Sequence, residues 1–270
     1  QPRQRYQRPV NTHTPFPSVQ TASPRCILCG GMGHYETENG QPIYQVDKDL
    51  NVTISHYEML LRDENDSFPN NDFFRVIETE EENQKWILAE KESIDQTFAK
   101  YPDICISLNI EPIQFEYPSV WKFLENIYSK YGKKVVIEVT ERQLQAGTLG
   151  NKQFDKSFQR FHDIGLDVVL DDVDSGGHSL TFVDHHSDII SGIKLSLLDF
   201  DPISSDTTIK FIDAWTSFAK EKHLGLVVEA IRNKEIAQKF AGNKHILQQG
   251  YYWQQGVKLE DLPTVYGFKK

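Results

Sequence analysis

The chain contains no apolar run of 18 or more residues, so a membrane-spanning helix is not expected. Its N-terminus lacks the apolar core of a signal peptide. Cysteine is scarce. Cys26, Cys29 and Cys105 are too few for a disulfide framework, and Cys105, in a strand-like run, reads as a buried thiol. A reducing cytoplasm is the expected compartment. Positive charge is also short. Lys and Arg number 29 against 39 Asp and Glu, a net charge of −10, which argues against general binding to DNA or RNA. An anionic substrate would need local help from metal ions or arginine. No G-x-G-x-x-G opens a helix after a strand. The glycine-rich DSGG at 174–177 does not supply one, so a dinucleotide-binding fold is rejected.

What is present is a repeated pattern. Five apolar, strand-like runs each carry a carboxylate or amide at or near the end: HYEMLLR at 56–62, ISLNIEP at 106–112, VVIEVTE at 135–141, VVLDDVDSGG at 168–177 and LVVEAI at 226–231. The polar residues are Glu58, Asn109, Glu138, Asp171 with Asp172, and Glu229. Val/Ile/Leu runs of this kind read as buried parallel strands. In an α/β barrel, polar residues at strand carboxyl ends converge on one mouth. So many carboxylates together repel each other and desolvate badly, and divalent cations with oxygen ligands are the usual remedy.

Residues 1–39 read as a flexible N-terminal tail and 40–270 as one domain. Within the tail, Cys26, Cys29 and His34 have the C-x2-C-x4-H spacing of a zinc knuckle, but Asn39 stands where a fourth ligand belongs. A glycine-rich lead-in to the first strand is the plainer reading. From Gly40 onward strands and helices alternate. QPIYQV and TISHYEMLLR form two strands joined by the polar turn DKDLN, and helices close on Gly132 and Gly165. About eight strands in βαβ alternation, over 270 residues, predict an α/β fold of the closed (β/α)8 barrel type.

The motifs, taken together, resemble those of the EAL-domain family of cyclic di-GMP phosphodiesterases. QPIY at 41–44 is similar to its opening strand, and YEMLLR at 57–62 to its signature, with Met59 for the usual alanine. SLNIEP at 107–112 resembles its N-x-S-P strand, altered at Ile110 and Glu111. IEVTE at 137–141, FHDIGLDVVLDDVDSGGHSL at 161–180, IKLS at 193–196, VVEAIRNKE at 227–235 and QGYYW at 249–253 follow in the family's order. The departures are Asp174 for a glycine, Gly177 for an aromatic, Ser196 for an acid and Arg232 for a glutamate.

The resemblance implies metal-dependent hydrolysis of cyclic di-GMP to linear pGpG. Glu58, Asn109, Glu138 and Asp171 would hold one metal ion; Asp171 and Asp172 would reach a second. Lys194 would polarise the attacking water, or accept its proton if its pKa is lowered. Glu229 would face the metal-bound waters, and Gln249 and Arg62 would contact substrate. Glu141 would hold the loop after Asp172. Hard oxygen ligands favour Mg2+ or Mn2+, with Ca2+ binding but inhibiting. Family likeness also implies a homodimer. Asp174 is expected to add a carboxylate beside the metals. Two other functions stay open: a catalytically weak receptor for cyclic di-GMP, and a protein-interaction module. Singly, Glu58 could be a solvated strand end, Asn109 a structural amide, Arg62 a partner of Asp63 or Glu64, and Lys194 a lysine reaching for solvent. His185 and His186 fall in a polar stretch and read as surface.

Overall fold

The computed structural model describes residues 37–63, 65–142, 151–200 and 205–262. Cys26, Cys29 and His34 lie outside them. Strand β1 (Thr37–Val46) turns into β2 (Val52–Arg62) through an Asp47-centred turn. Asp47 Oδ1 accepts from the backbone N–H of Asp49 and Asn51, both at 2.8 Å, which is why a short carboxylate heads this turn. β1 therefore begins inside the segment read as tail.

After β2 come helices α1 (Asn70–Val76) and α2 (Glu80–Lys100), then β3 (Ile106–Ile110), α3 (Pro118–Tyr131) and β4 (Val135–Val139). The chain continues through α4 (Asn151–Ile164), β5 (Asp167–Leu170), α5 (Leu180–His186) and β6 (Gly192–Ser196). It ends with α6 (Ser205–Glu221), β7 (Gly225–Glu229), α7 (Lys234–Phe240), β8 (Ile246–Gln248) and a two-residue β9 (Val257–Lys258). Among the described residues no helix is long and apolar enough to cross a membrane.

Strands β2 to β8 pair in sequence order, all parallel. β1 runs antiparallel to both β2 and β8 and closes the cylinder. The expected barrel is present, but its sheet is not wholly parallel. A hairpin of five linking residues leaves no room for a crossover helix, so the second strand must return antiparallel to the first. The helix starts and stops are locally encoded. Thr79 caps α2 by accepting from Glu82 N. Gly165 ends α4 at φ 93°, where an added Cβ would lie 2.6 Å from the Tyr128 hydroxyl.

Strand period 2 sorts the side chains. Ile106, Leu108, Ile110, Val135, Ile137, Val139, Val168, Leu170, Ile193, Leu195, Leu226 and Val228 are buried in the main apolar core. These alternate residues face outward, under the helices. Their neighbours Asn109, Glu138, Lys194 and Glu229 are thereby turned into the barrel. The register aligns Asn109 with Glu138 and Ser196 with Glu229.

Between β1 and α2 lies a second polar feature. Glu38 and Glu90 are buried and hydrogen-bonded to each other, and Ser93 Oγ donates to Glu38 at 2.5 Å. Burial, then the Glu38 charge, hold the Glu90 carboxyl well above its ordinary value of 4.5. The raised value means that Glu90 favours the fold fully below the ordinary glutamate range. That contribution is lost as pH climbs through the raised pKa, at about 1.4 kcal/mol per pH unit. Glu90→Gln should raise the unfolding midpoint above neutral pH by about 3 °C or more and flatten its fall with rising pH. Thermal unfolding of both proteins across a pH series measures this.

Candidate active site

Seven side chains from seven different strands or strand ends meet at one mouth. Glu58 comes from β2, Asn109 from β3, Glu138 from β4, Asp171 from the end of β5, Lys194 from β6, Glu229 from β7 and Gln249 from the end of β8. Lys194 is at the centre, 1% exposed. Its Nζ lies 2.5 Å from Glu138 Oε2, 2.6 Å from Glu229 Oε1, 3.1 Å from Glu58 Oε2 and 3.4 Å from Asp171 Oδ1. Asn109 Nδ2 donates to Glu58 Oε1 at 2.9 Å, and Gln249 Nε2 to Glu58 Oε2 at 2.7 Å.

One ammonium cannot neutralise four carboxylates, and the protonation pattern follows from who has other donors. Burial opposes ionisation of Glu58, but Lys194 and the donors Asn109 and Gln249 outweigh it and lower its pKa. Glu138 has one donor. Burial and the Glu58 charge push it up to about 8. Glu229 is likewise pushed well up by burial, against the pull of Lys194. Burial drags Lys194 down, but Asp171, Glu138, Glu229 and Glu58 together hold it well above 10.5. The proton-accepting role, which needs a lowered pKa, is opposed by these four acids. The residue is an ammonium that donates.

The remaining expected residues surround this ring. Asp171, Asp172 and Glu141 bring one carboxylate oxygen each within 4.8 Å of one another. The loop from Asp171 to His178 is pinned by backbone bonds to the neighbouring strands: Asp171 N to Val139 O at 2.9 Å, Val173 N to Lys194 O at 2.9 Å, and Gly177 N to Glu141 O at 3.0 Å. Glu141 thus touches the loop through its carbonyl. Gly176, at φ 49°, packs so closely there that a Cβ would come within 2.7 Å of that oxygen. Arg62 and Gln249 line a cavity of about 340 Å3 with Glu58, Glu229, Arg232 and Tyr251. Arg62 Nη1 donates to the Leu61 carbonyl at 2.9 Å and stands outside the lysine network.

Two contributors escape sequence reasoning. His178 is buried and its Nδ1 donates to the Asp171 carbonyl at 2.5 Å, fixing the backbone that carries the carboxylate. Its position in the loop motif was the available signal. Glu111, which departs from the family pattern, accepts from Thr140 Oγ1 at 2.7 Å and caps the short turn at 112–116 with Gln114. His185 and His186 correct the surface reading: they end α5, and while His185 is exposed His186 is buried.

The unpartnered oxygens at the mouth are of the kind that divalent cations use. Glu138 Oε1 and Gln249 Oε1 are buried without a hydrogen-bond partner, and Asp171 Oδ1 has only the 3.4 Å approach of Lys194. Asp171 Oδ1 and the Gln249 amide oxygen are acceptors, and Glu138 Oε1 becomes one when the carboxyl gives up its proton to a cation. Hard oxygen acceptors with surplus negative charge suit hard divalent cations.

The chain belongs to the EAL domain family, whose family model matches residues 38–255. It is 24% identical over 229 residues to the cyclic di-GMP phosphodiesterase PdeA of Borreliella burgdorferi, covering 80% of this chain. It is 23% identical over 130 residues to the probable cyclic di-GMP phosphodiesterase PdeN of Escherichia coli K12, covering 48% of this chain. The matches span 32% and 24% of those proteins' own lengths. Among solved structures, Klebsiella pneumoniae BlrP1, in a complex with manganese and cyclic di-GMP, superposes with a TM-score of 0.66 at 19% identity, over 83% of this chain and 56% of that one.

Asp174 differs from its expected role. It is exposed, and its carboxylate is not in the Glu141–Asp171–Asp172 cluster. Its φ is 70°, the left-handed conformation that glycine takes without strain. Asp174→Gly should therefore stabilise the fold by about 1 kcal/mol and leave the metal concentration for half-maximal turnover unchanged. Thermal unfolding and a metal titration of activity check the two halves.

Proposed function

We propose that this chain hydrolyses cyclic di-GMP to linear pGpG with Mg2+ or Mn2+ as cofactor, Ca2+ acting as an inhibitor. The observation that carries the reading is the surplus of buried carboxylate oxygen around Lys194. Three acceptors there are left without a hydrogen bond, at a mouth built from seven strands. Family membership names the chemistry such a mouth supports.

Glu58, Asn109, Glu138 and Asp171 would hold one ion, and Asp171 with Asp172 the second. The ions, when bound, supply phosphate neutralisation and an activated water for in-line displacement. The chain's own groups do the rest. Lys194 donates a hydrogen bond and positive charge on the inner side of the site. Glu229, 2.6 Å from the Lys194 ammonium, faces the waters at the mouth. Gln249, already fixed on Glu58, positions the phosphate, and Arg62 lies in the same cavity to meet the anion. Glu141 keeps the loop of Asp172 in place. The attacking water bonds to phosphorus, the P–O bond opposite it breaks, and the proton the water gives up balances the one taken by the leaving 3′ oxygen.

A slower, receptor-like protein is favoured by one observation. Ser196, where the family carries an acid, is buried and its Oγ accepts from Leu198 N at 3.3 Å, so it supplies no charge to the mouth. The net charge of −10 suits a small nucleotide ligand held by metals better than a nucleic acid. We place the reaction in the cytoplasm of a bacterium, in a homodimer, on family likeness.

Asp171→Asn and Glu138→Gln keep shape and remove a carboxylate ligand that a bound cation would ionise. Each should reduce pGpG formation at least about 1,000-fold, a loss of about 4 kcal/mol of transition-state stabilisation, with the fold intact. Chromatography of cyclic di-GMP incubations in metal-buffered Mg2+ or Mn2+, beside circular dichroism, decides this. Near-normal turnover by either variant would refute the ligand assignment. Tight cyclic di-GMP binding by the unmodified protein without any pGpG would leave the receptor reading standing instead.

A further inference from the structure

The outer wall of the barrel carries a second cluster that the proposed reaction does not use. Asp155 lies near the start of α4, and His185 and His186 end α5. Asp155 Oδ1 is 3.1 Å from His185 Nε2 and 3.2 Å from His186 Nε2. All three ligand atoms fall within 4.8 Å of one another. The His186 side chain is 4% exposed and sits between the rings of Phe158 and Phe182, at 4.6 and 4.4 Å.

The hydrogen positions on His186 follow from its partners. Nδ1 lies 2.9 Å from the Phe182 carbonyl oxygen. A carbonyl only accepts, so Nδ1 carries a hydrogen, which leaves Nε2 to face the Asp155 carboxylate. Nε2 and that oxygen, 3.2 Å apart beside apolar rings, are held by positive charge between them, a proton on Nε2 or a cation in its place. His185 aims a second imidazole nitrogen at the same oxygen.

We propose that Asp155, His185 and His186 form a binding site for a divalent transition metal of the zinc type. Zinc–nitrogen and zinc–oxygen bonds of about 2.0–2.2 Å place tetrahedral ligands about 3.3 Å apart. The separations of 3.1 and 3.2 Å match that edge. The hydrogen bond from Nδ1–H to a backbone carbonyl is the usual way of fixing a ligating histidine. Two imidazoles select zinc, nickel or cobalt over magnesium and calcium, so the site differs in kind from the all-oxygen mouth. His185 and Asp155 are 65% and 45% exposed, which leaves the fourth position to water. A bound ion ties α5 to α4. α5 in turn follows the loop of Asp171, and Phe182 within it stacks on His178 at 5.5 Å.

The test is a zinc titration of the metal-stripped full chain by calorimetry, in excess Mg2+ to fill the carboxylate mouth. His185→Ala and Asp155→Asn change exposed side chains, and thermal unfolding in chelator should show both as stable as the unmodified protein. The unmodified protein should bind one zinc equivalent that each variant lacks or binds at least 10-fold more weakly, and zinc should raise its unfolding midpoint more than theirs. Cys26, Cys29 and His34 are present in all three proteins, so any zinc they take cancels in the comparison. Asp171→Asn should keep the extra equivalent, which separates this site from the proposed catalytic one. Equal zinc stoichiometry and affinity in the unmodified protein and both variants would overturn the proposal.

Discussion

The arrangement at the mouth depends on one buried ammonium. Lys194 enters the barrel from β6 and meets carboxylates from β2, β4, β7 and the end of β5, which are far apart in sequence. A fully buried lysine is costly to charge, and so is each buried carboxylate. Together they are tolerable, and each fixes the others' positions. The balance is incomplete by design of the charge count, four acids to one base. Glu138 and Glu229 answer the deficit by retaining protons. Added cations would answer it instead, releasing those protons.

The scaffold serves this centre by alternation. Outward residues of β3 to β7 supply the aliphatic layer under the helices, which leaves inward positions free for chemistry. The loop after Asp171 is held to Val139, Lys194 and Glu141 by backbone bonds, so its acids do not depend on loop packing alone. Positive φ at Asp172, Asp174 and Gly176 shows how tightly that loop turns. Such strain is commonly kept where geometry matters.

Much of this was legible in the sequence because strand ends repeat a simple rule: apolar alternation, then an acid or amide. Glu58, Asn109, Glu138, Asp171 and Glu229 announce themselves that way, and Gly132 and Gly165 mark helix ends by the freedom of φ they provide. Other features were hidden for physical reasons. The closure of the barrel by β1 depends on the pairing of Tyr44 and Gln45 with β8, some 200 residues away. Helix α1 and the two-residue β9 are too short for periodicity to register. The charge state of Lys194 depends on which acids surround it, and a linear reading of Ile193-Lys194-Leu195 gives no count of them. His186 is buried because Phe158 on another helix covers it. Polarity alone had marked it as surface.

The central claim is that Lys194 serves as counter-ion to a carboxylate ring that also accepts divalent cations. It is tested most directly by the stability of Lys194→Met, measured by chemical unfolding in chelator and again in Mn2+. The account predicts a loss of about 3–5 kcal/mol without metal, as expected when one partner of a buried ion cluster is removed, and recovery of much of that loss in Mn2+. A variant as stable as the unmodified protein in chelator, with no added response to Mn2+, would contradict it.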